Sequence, residues 1–596
     1  MQIIKSFFKL LVFICPLSAM AQSTYLPEGD KDYHFMDRLE IKQGNNTDIN
    51  FSTIKPYSRQ NIVAETEFID SIDQSYKHPS AAIGAGLNLA DSIAAINKYM
   101  HGNHLKLSKV DEYDMNSLLM NNSEWVTGSK ASFMSRRPIL KSFYITKPNL
   151  LEVNVKDFFL VVNPVIDFSG GKESGAGSNS KTLFLNTRGI SVRGMIDHKI
   201  GFYATMSDNQ ERGPGYFSRS VYRGGRNIVV PGVEFAKLFK NDTTAYDYFD
   251  ARGSFTFNEA KYINIQFGYD KNFIGDGYRS LFLGDDGASY LFLKLNTKIW
   301  KFEYQNLFME LIPQFDKVGD TLLGRKYAAM HTLSMNVTKW ANIGLFEGII
   351  FGRQDHFDFE YLNPIIFYRS VEGTVGSPDK AQVGLDFKAN AAHHLQFYGQ
   401  FLLDEFVLSQ IKADTGWWGN KFAYQVGLKY IDAFGVRNLD LQVEDNRVRP
   451  FTYAHDNDIS NYTNYNQPLA HPLGANFQEF IGIVKYQPTP KWYITGKAIY
   501  YFQGLDSLDG RDYGSNPLIN YNDRKGDGGY KVGSGRKATC LNTSLQVSYE
   551  IRENLFFDGL LQSRKYTIAN EPTNSSNTTM VTVGIRWNIR KRQYDY

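Results

Sequence analysis

The sequence predicts an antiparallel, all-β transmembrane barrel of about 18 strands, preceded by a small, mainly helical periplasmic segment at the amino terminus. Three observations carry this expectation. From Leu541 to Arg552 the side chains alternate, with Leu541, Leu545, Val547, Tyr549 and Ile551 separated by Asn542, Ser544, Gln546, Ser548 and Glu550. Strands of roughly ten residues with one apolar and one polar face suit a wall between lipid and a wet lumen. The chain is 15% aromatic, with 50 glycines and 37 tyrosines, and after its start no stretch has the run of about 18 apolar residues that a membrane helix needs. Finally, tight turns and long polar connections alternate, and this alternation lets the strands be counted.

Residues 1–21 read as a secretory signal: Lys5 and Lys9 lead into the apolar Leu10 to Cys15, and Ala19-Met20-Ala21 is a small-x-small cleavage site. Cys15 follows Ile14, whereas lipidation needs a small residue there. Removal of the signal leaves Cys540 as the remaining cysteine, so neither a disulfide within the chain nor a cysteine metal site is expected, and no cofactor or metal is called for. A net charge of only +3 argues against a nucleic-acid partner. In residues 22–150, Ser58 precedes Ile62, Ile69 and Ile72 at helical spacing, and Leu89 to Tyr99 is Ala-rich with the same period. Pro56, Pro79, Gly84 and Gly86 interrupt these runs. The segment therefore reads as periplasmic helices that can fold into the barrel mouth, or as a loosely ordered leader.

Residues 151–596 read as the outer-membrane barrel. Short turns are expected near His198-Lys199, Glu259-Ala260, Thr297-Lys298, Lys339 to Ala341, Ala391 to His393, Phe434 to Val436, Pro488 to Pro490 and Glu553-Asn554. With an unpaired run at about 155–168 and another at about 579–590, which would set Trp587 and Ile589 on the lipid face, the total is eighteen; sixteen is the alternative count. An even number with both ends on the short-turn side is the bacterial pattern, with long loops outside. The alternation turns Arg193, Asn264, Gln266, Asp386, Lys388, Gln425, Lys429, Asp440, Gln442, Glu444, Thr495, Lys497, Glu550, Asp558, Arg564 and Arg586 inward. Their mixed signs suit cross-bracing of the wall more than selection of a solute.

Two stretches differ from ordinary strand and loop. Phe273 to Asp286 crowds glycines, acids and an arginine into a strand-to-loop junction, and Tyr361 to Glu372 is largely apolar within a long loop. Gly275, Gly277, Ser280, Leu281 and Leu283 form a Gly-x-Gly-x-x-Ser-Leu-x-Leu element, and Asn363-Pro364 lies further on. Leu26 to Lys31, Tyr33, Asp37, Arg38 and Leu39, then Lys55 to Arg59, make up the opening. In these features the chain resembles the Wzi-type capsule-assembly barrels and the gliding-motility RemB-like outer-membrane proteins. It departs from the capsule branch where Gly287-Ala288-Ser289 stands in place of prolines. The resemblance implies an eighteen-stranded outer-membrane barrel acting in surface polysaccharide attachment or a motility-associated surface function. The partners it implies are the lipid bilayer, surface polysaccharide, and surface or secretion machinery.

The candidate residues are Gly275, Asp276, Gly277, Arg279, Asp285, Asn363, Arg369 and Glu372, read either as two loops locked into the lumen as a plug or as a glycan site at the outer mouth. Trp417 and Trp418, with the Tyr- and Asn-rich Asn461 to Asn466, offer faces and amides for sugar rings, although a loop tryptophan can equally anchor to its own barrel. Asp456-x-Asp458-x-Ser460 starts like a calcium loop, but Asn461 and Gln467 stand where the turn glycine and the bidentate glutamate belong. A passive porin is the alternative function. A barrel hydrolase, with His356 beside Asp355 and Asp358 as its best histidine, is the reading from another class; no triad can be chosen, and none is expected. The alternation itself is testable: an epitope inserted after Asp509 is expected to be labelled on intact cells and one at Thr489 to stay unlabelled, and labelling at Thr489 would invert the topology.

Overall fold

The computed structural model describes residues 23–595 except 45–50, 78–104, 106, 198, 222–227, 261, 316–321, 354–355, 365–366, 375 and 377–378. The expected signal and the expected helix at 89–99 lie outside the described residues. Eighteen antiparallel strands close into one barrel. In chain order they are β1 Phe158–Ala176, β2 Leu183–Ile196, β3 Ile200–Arg212, β4 Asp242–Ala260, β5 Ile263–Asp270, β6 Tyr290–Ile299, β7 Phe302–Leu311, β8 Lys326–Met335 and β9 Ala341–Phe351. They continue as β10 Lys380–Ala391, β11 Leu395–Glu405, β12 Lys421–Tyr430, β13 Leu439–Val448, β14 Phe477–Thr489, β15 Trp492–Leu505, β16 Arg536–Arg552, β17 Leu555–Ile568 and β18 Ser576–Trp587. Each pairs with its neighbours in sequence, and β18 closes on β1 from Asn577↔Ala176 to Trp587↔Ile166.

The expected count holds, and three boundaries move. β1 extends to Ala176, and a short strand, Leu151–Val155, folds back along its start. The turn expected at Thr297-Lys298 lies at Trp300-Lys301, because the ladder runs on to Ile299↔Phe302. The last strand stops at Trp587: Asn588 takes a left-handed φ of 54°, and its side-chain amide donates to Pro164 O at 2.9 Å. Ile589 is thereby taken off the lipid face and lines the lumen.

The alternation that set the strands also sets the two solvents. Leu541, Leu545, Phe557, Leu561, Val581, Val583 and Ile585 are exposed on the outer wall, while Glu550, Asp558, Gln562 and Arg564 are buried on the inner one. Trp300, Trp340, Phe434 and Trp492 are exposed beside the short turns, where an aromatic girdle meets the membrane interface.

A ring this wide leaves a lumen that side chains of the wall cannot fill, and three parts of the chain enter it. The first is amino-terminal and helical: α1 Lys31–Gln43, α2 Arg59–Lys77 and α3 Lys109–Asn121. Asp30 caps α1 through the Asp32 N–H, and Ser108 with Asp111 forms a capping box on α3. Arg38 is buried against Asp111 and Asp432 at 3.1 and 3.0 Å and pairs also with Asp440, so one guanidinium joins two helices to the wall. Lys31 reaches Glu550 and Glu553 at 2.9 and 3.0 Å, and Glu40 meets Lys388 at 2.8 Å. These partners are inward-facing groups at the short-turn end, so the helices occupy that mouth of the barrel.

The second part is residues 271–289. Ile54-Lys55 pairs with Phe273-Ile274 as a two-residue ladder, and Leu281, Phe282 and Leu283 are fully buried. Residues 449–476 lie against this insert, with the hydroxyls of Tyr453 and Tyr462 donating to Leu281 O and Phe282 O at 2.8 and 2.6 Å. The third part is the carboxyl-terminal tail after Trp587, where Arg590 meets Asp285 at 3.1 Å and Asp595 is held by Lys497 and Tyr278. Because the β18–β1 ladder ends at Trp587, removing residues 588–596 is expected to leave heat-modifiable migration intact while lowering the unfolding temperature and raising conductance in a planar bilayer. Loss of the heat-modifiable form would show that the tail is needed for closure.

Candidate functional site

The two stretches singled out in the sequence lie on opposite sides of the wall. Gly275, Asp276, Gly277, Arg279 and Asp285 belong to the lumenal insert. Asp276 accepts from the Thr53 hydroxyl at 2.7 Å, and Arg279 is buried between Asp286, at 3.0 Å, and the backbone oxygen of Asp595, at 2.8 Å. Glycine is required at 277, since a Cβ there would lie 2.6 Å from Glu444 Oε2 and 2.8 Å from Arg279 O. Glu444 is bound in return by the N–H groups of Tyr278 and Arg279, at 2.7 and 3.2 Å. This cluster locks the insert to β13, and of the five residues Asp285 alone lines the cavity beside it.

Asn363, Arg369 and Glu372 lie instead on the outside of the barrel. On β9, Phe346 stacks on Phe282 of the lumenal insert at 4.5 Å, whereas the alternate residues Ile349 and Phe351 pack with Tyr361, Tyr368 and Val371. Residues 356–364 and 367–374, with Tyr361 and with Tyr368 and Val371 of the helix Tyr368–Thr374, therefore form a flap against the outer faces of β7 to β10. The flap covers Glu347, which accepts the Arg369 N–H at 3.1 Å, and His331, whose ring lies 4.1 Å from that of Tyr368. Polar groups on a bilayer-facing wall need such a cover. Arg369 and Arg279 thus do not converge, and a shared site at the outer mouth is replaced by a lumenal lock and an external flap. His356, the best histidine of the hydrolase reading, also lies in the flap, with its N–H bonded to Arg353 O at 2.7 Å; Asp355 lies outside the described residues.

The tryptophans stay in the outer loops. The Trp418 ring lies 3.7 Å from the Arg524 guanidinium and 4.8 Å from the Tyr521 ring, so it anchors residues 406–420 to residues 506–535. Asn461, Tyr462, Thr463 and Asn464 are buried inside the lumen. The Asn461 side chain accepts from Lys326, and Asn464 caps backbone groups of Ile312, Ala288 and Ser289, which removes this run as a sugar-facing loop. Asp456 pairs with His455 at 3.0 Å.

What sequence reasoning missed is the space left beside the plug: a cavity of about 920 Å³. Tyr203, Thr205, Ser207 and Asn209 line it from β3, Tyr248, Asp250 and Arg252 from β4, and Tyr501, Gln503, Arg564 and Tyr566 from β15 and β17. The signal was present, because each set has the period of two of an inward face. What the pattern lacked was the position of the plug, which decides which inward residues stay accessible. The cavity reaches from Arg59 and Arg193, near the helices, to Arg219, Asp506, Asn516 and Asn574 of the outer loops. One wall carries a coupled acid pair: burial, and then the neighbouring Asp285, push Glu28 up to about 8. Asp285 itself is held low, against burial, by the hydrogen bond from Glu28 and the charge of Arg590.

No family model matches the chain, and no curated protein matches it in sequence. Among solved structures it is similar to Escherichia coli Wzi, an outer membrane protein involved in group 1 capsule assembly that is described as a carbohydrate-binding β-barrel. The TM-score is 0.54 at 11% identity, over 96% of this chain and 100% of that one. The two share one fold. Pseudomonas aeruginosa OccK8 (OprE) and OprD give TM-scores of 0.40 and 0.38 at 10% identity, each over 72% of this chain and over 98% and 93% of theirs. At 11% identity the likeness to Wzi establishes the fold, an outer-membrane barrel.

The two arginines are expected to behave differently. Arg279→Ala removes the guanidinium that ties Asp286 to the Asp595 backbone, so it should lower stability and raise conductance in a planar bilayer. Arg369→Ala, on the outer flap, should leave conductance unchanged. The reverse pattern would place the flap in the lumen.

Proposed function

We propose that this chain is a polysaccharide-binding outer-membrane barrel that holds glycan at the cell surface, as capsule or as a motility-associated surface layer, and that it binds its ligand without cleaving it. The observation that carries this reading is the polar, aromatic-lined cavity of about 920 Å³ beside a filled lumen. A cavity of that size suits a segment of a few sugar units. Tyr203, Tyr216, Tyr248 and Tyr566 give it flat apolar faces, and Asn516 and the guanidinium of Arg564 give it donors for hydroxyls. The carbohydrate-binding description of Wzi, which has the same fold, supports the same reading.

A passive porin is the competing reading, and the same lumen separates the two. A porin of this strand number keeps an aqueous channel, whereas here three parts of the chain enter the lumen and are cross-linked to the wall by buried ion pairs. Deleting the gene is expected to release surface polysaccharide into the medium, or to abolish the surface function that depends on it. Complementation by Tyr203→Ala/Tyr248→Ala should fail to restore retention although the barrel is present in the outer membrane. Full restoration, together with porin-like conductance of the purified protein, would sink the binding reading in favour of the channel.

A further inference from the structure

Most of the arginines around the cavity are paired with a carboxylate. Arg252 meets Asp250 at 2.9 Å and Glu28 at 3.5 Å, Arg536 meets Glu571 at 2.6 Å, Arg592 meets Glu211 at 3.2 Å and Arg193 meets Glu124 at 3.2 Å. Arg59 has no such carboxylate, but it is spent on Tyr25 O and the Asn122 side chain within the plug.

Arg564 differs from all of these. It points inward from β17, is 7% exposed, and among the described residues makes no ion pair. Its one hydrogen bond goes to the Tyr501 hydroxyl at 3.4 Å, and its Nε has no partner. The rings of Tyr216 and Tyr566 lie 4.3 and 4.9 Å from the guanidinium carbon. Such contacts position a cation without neutralising it.

A second guanidinium shares this part of the cavity wall. Arg219 stands three residues after Tyr216 on the short helix Gly215–Val221, and its hydrogen bond goes to a neutral group, Gly177 O, at 2.9 Å. Its side chain is exposed, and it lines the same cavity as Arg564. Glu173 takes the N–H groups of Asn179 and Gly215 on one oxygen, at 2.6 and 2.7 Å, and its other oxygen has no hydrogen-bond partner among the described residues. Nearby on the cavity wall, Asp595 binds Lys497, and Asp506 accepts the Tyr513 N–H at 2.8 Å.

A guanidinium taken out of water without a counter-charge is costly, and its planar fork matches a carboxylate at two points. We propose that Arg564, with Arg219 beside it and the rings of Tyr216 and Tyr566 fixing its plane, is a subsite for the carboxylate of an acidic sugar. The glycan of this cavity is then a polyuronate or another carboxylated polymer. This rests on the polysaccharide-binding reading above and narrows it to a substrate class.

The test is calorimetric titration of the full-length barrel, purified in detergent, with galacturonate oligosaccharides and with the same oligosaccharides fully methyl-esterified. The native protein is expected to prefer the acid form by on the order of tenfold or more, the range of a charge-assisted hydrogen bond. Arg564→Gln should erase that preference, so that acid and ester bind alike, and Arg564→Lys, which keeps the charge without the fork, should retain part of it. Heat-modifiable migration of each variant checks folding. Equal affinity of the native protein for acid and ester, or an undiminished preference in Arg564→Gln, overturns the subsite while the binding reading stands. Binding of neither oligosaccharide, with tight binding of inorganic phosphate, replaces the carboxylate by a phosphate ligand, and binding of none of the three overturns both readings.

Discussion

A backbone N–H in hydrocarbon has no water to bond to, and the rest of this structure follows from that constraint. Each strand has to be paired on both sides, so the sheet must close, and β18 meets β1 over eleven register pairs to do so. Closure of eighteen strands fixes a wide ring, and a wide ring poses a second problem: its inner face carries Lys388, Asp440, Glu444, Glu550 and Asp558, which need partners. The helices, the insert at 271–289 and the tail are the answer to that problem. Arg38 shows the scale of the coupling, since one side chain satisfies an aspartate of its own plug and two of the wall.

The plug does not fill the ring evenly. It packs against β6 to β13, where Phe282, Phe346, Met330, Tyr453 and Tyr462 share one apolar core. Beside β1 to β4 and along parts of β15 and β17 it leaves the cavity. The asymmetry begins with the insert, which leaves the wall between β5 and β6 and is held against β13 through Glu444 and Gly277. The apolar core and the cavity therefore occupy different sides of one lumen. The tail is the seam between them, because Arg590 and Asp595 face the cavity while holding Asp285 and Arg279 of the insert.

How much of this the sequence reveals depends on whether the signal is local. Strand alternation is local, and it was enough to place Phe557, Leu561, Val583 and Ile585 toward lipid, to turn Asp558 and Arg564 inward and to count the strands. Turn residues were less secure, as at Thr297, where two polar side chains sit mid-ladder and the reversal waits for Trp300. Where a loop goes after leaving the wall is not local. Tyr361 and Tyr368 look like lumenal plug residues in sequence, yet pack on the outer wall over Glu347 and His331, because a polar patch there needs a cover that only the fold reveals. Asn461 to Asn464 likewise look like an exposed loop and serve as buried caps. Among the candidate residues, Gly277 and Arg279 were picked for chemistry and turn out to be structural, whereas Arg564, read as one more cross-brace, is a buried cation that makes no ion pair among the described residues.

The central claim is that glycan is held in the cavity and not on the outer loops. Crosslinking mass spectrometry with a photoactivatable surface glycan, applied to intact cells, tests it most directly. The account predicts adducts on inward residues of β3, β4 and β17, among them Tyr203, Tyr248 and Tyr566. Adducts confined to the outer loops, at Trp417, Trp418 or Tyr521, would contradict it.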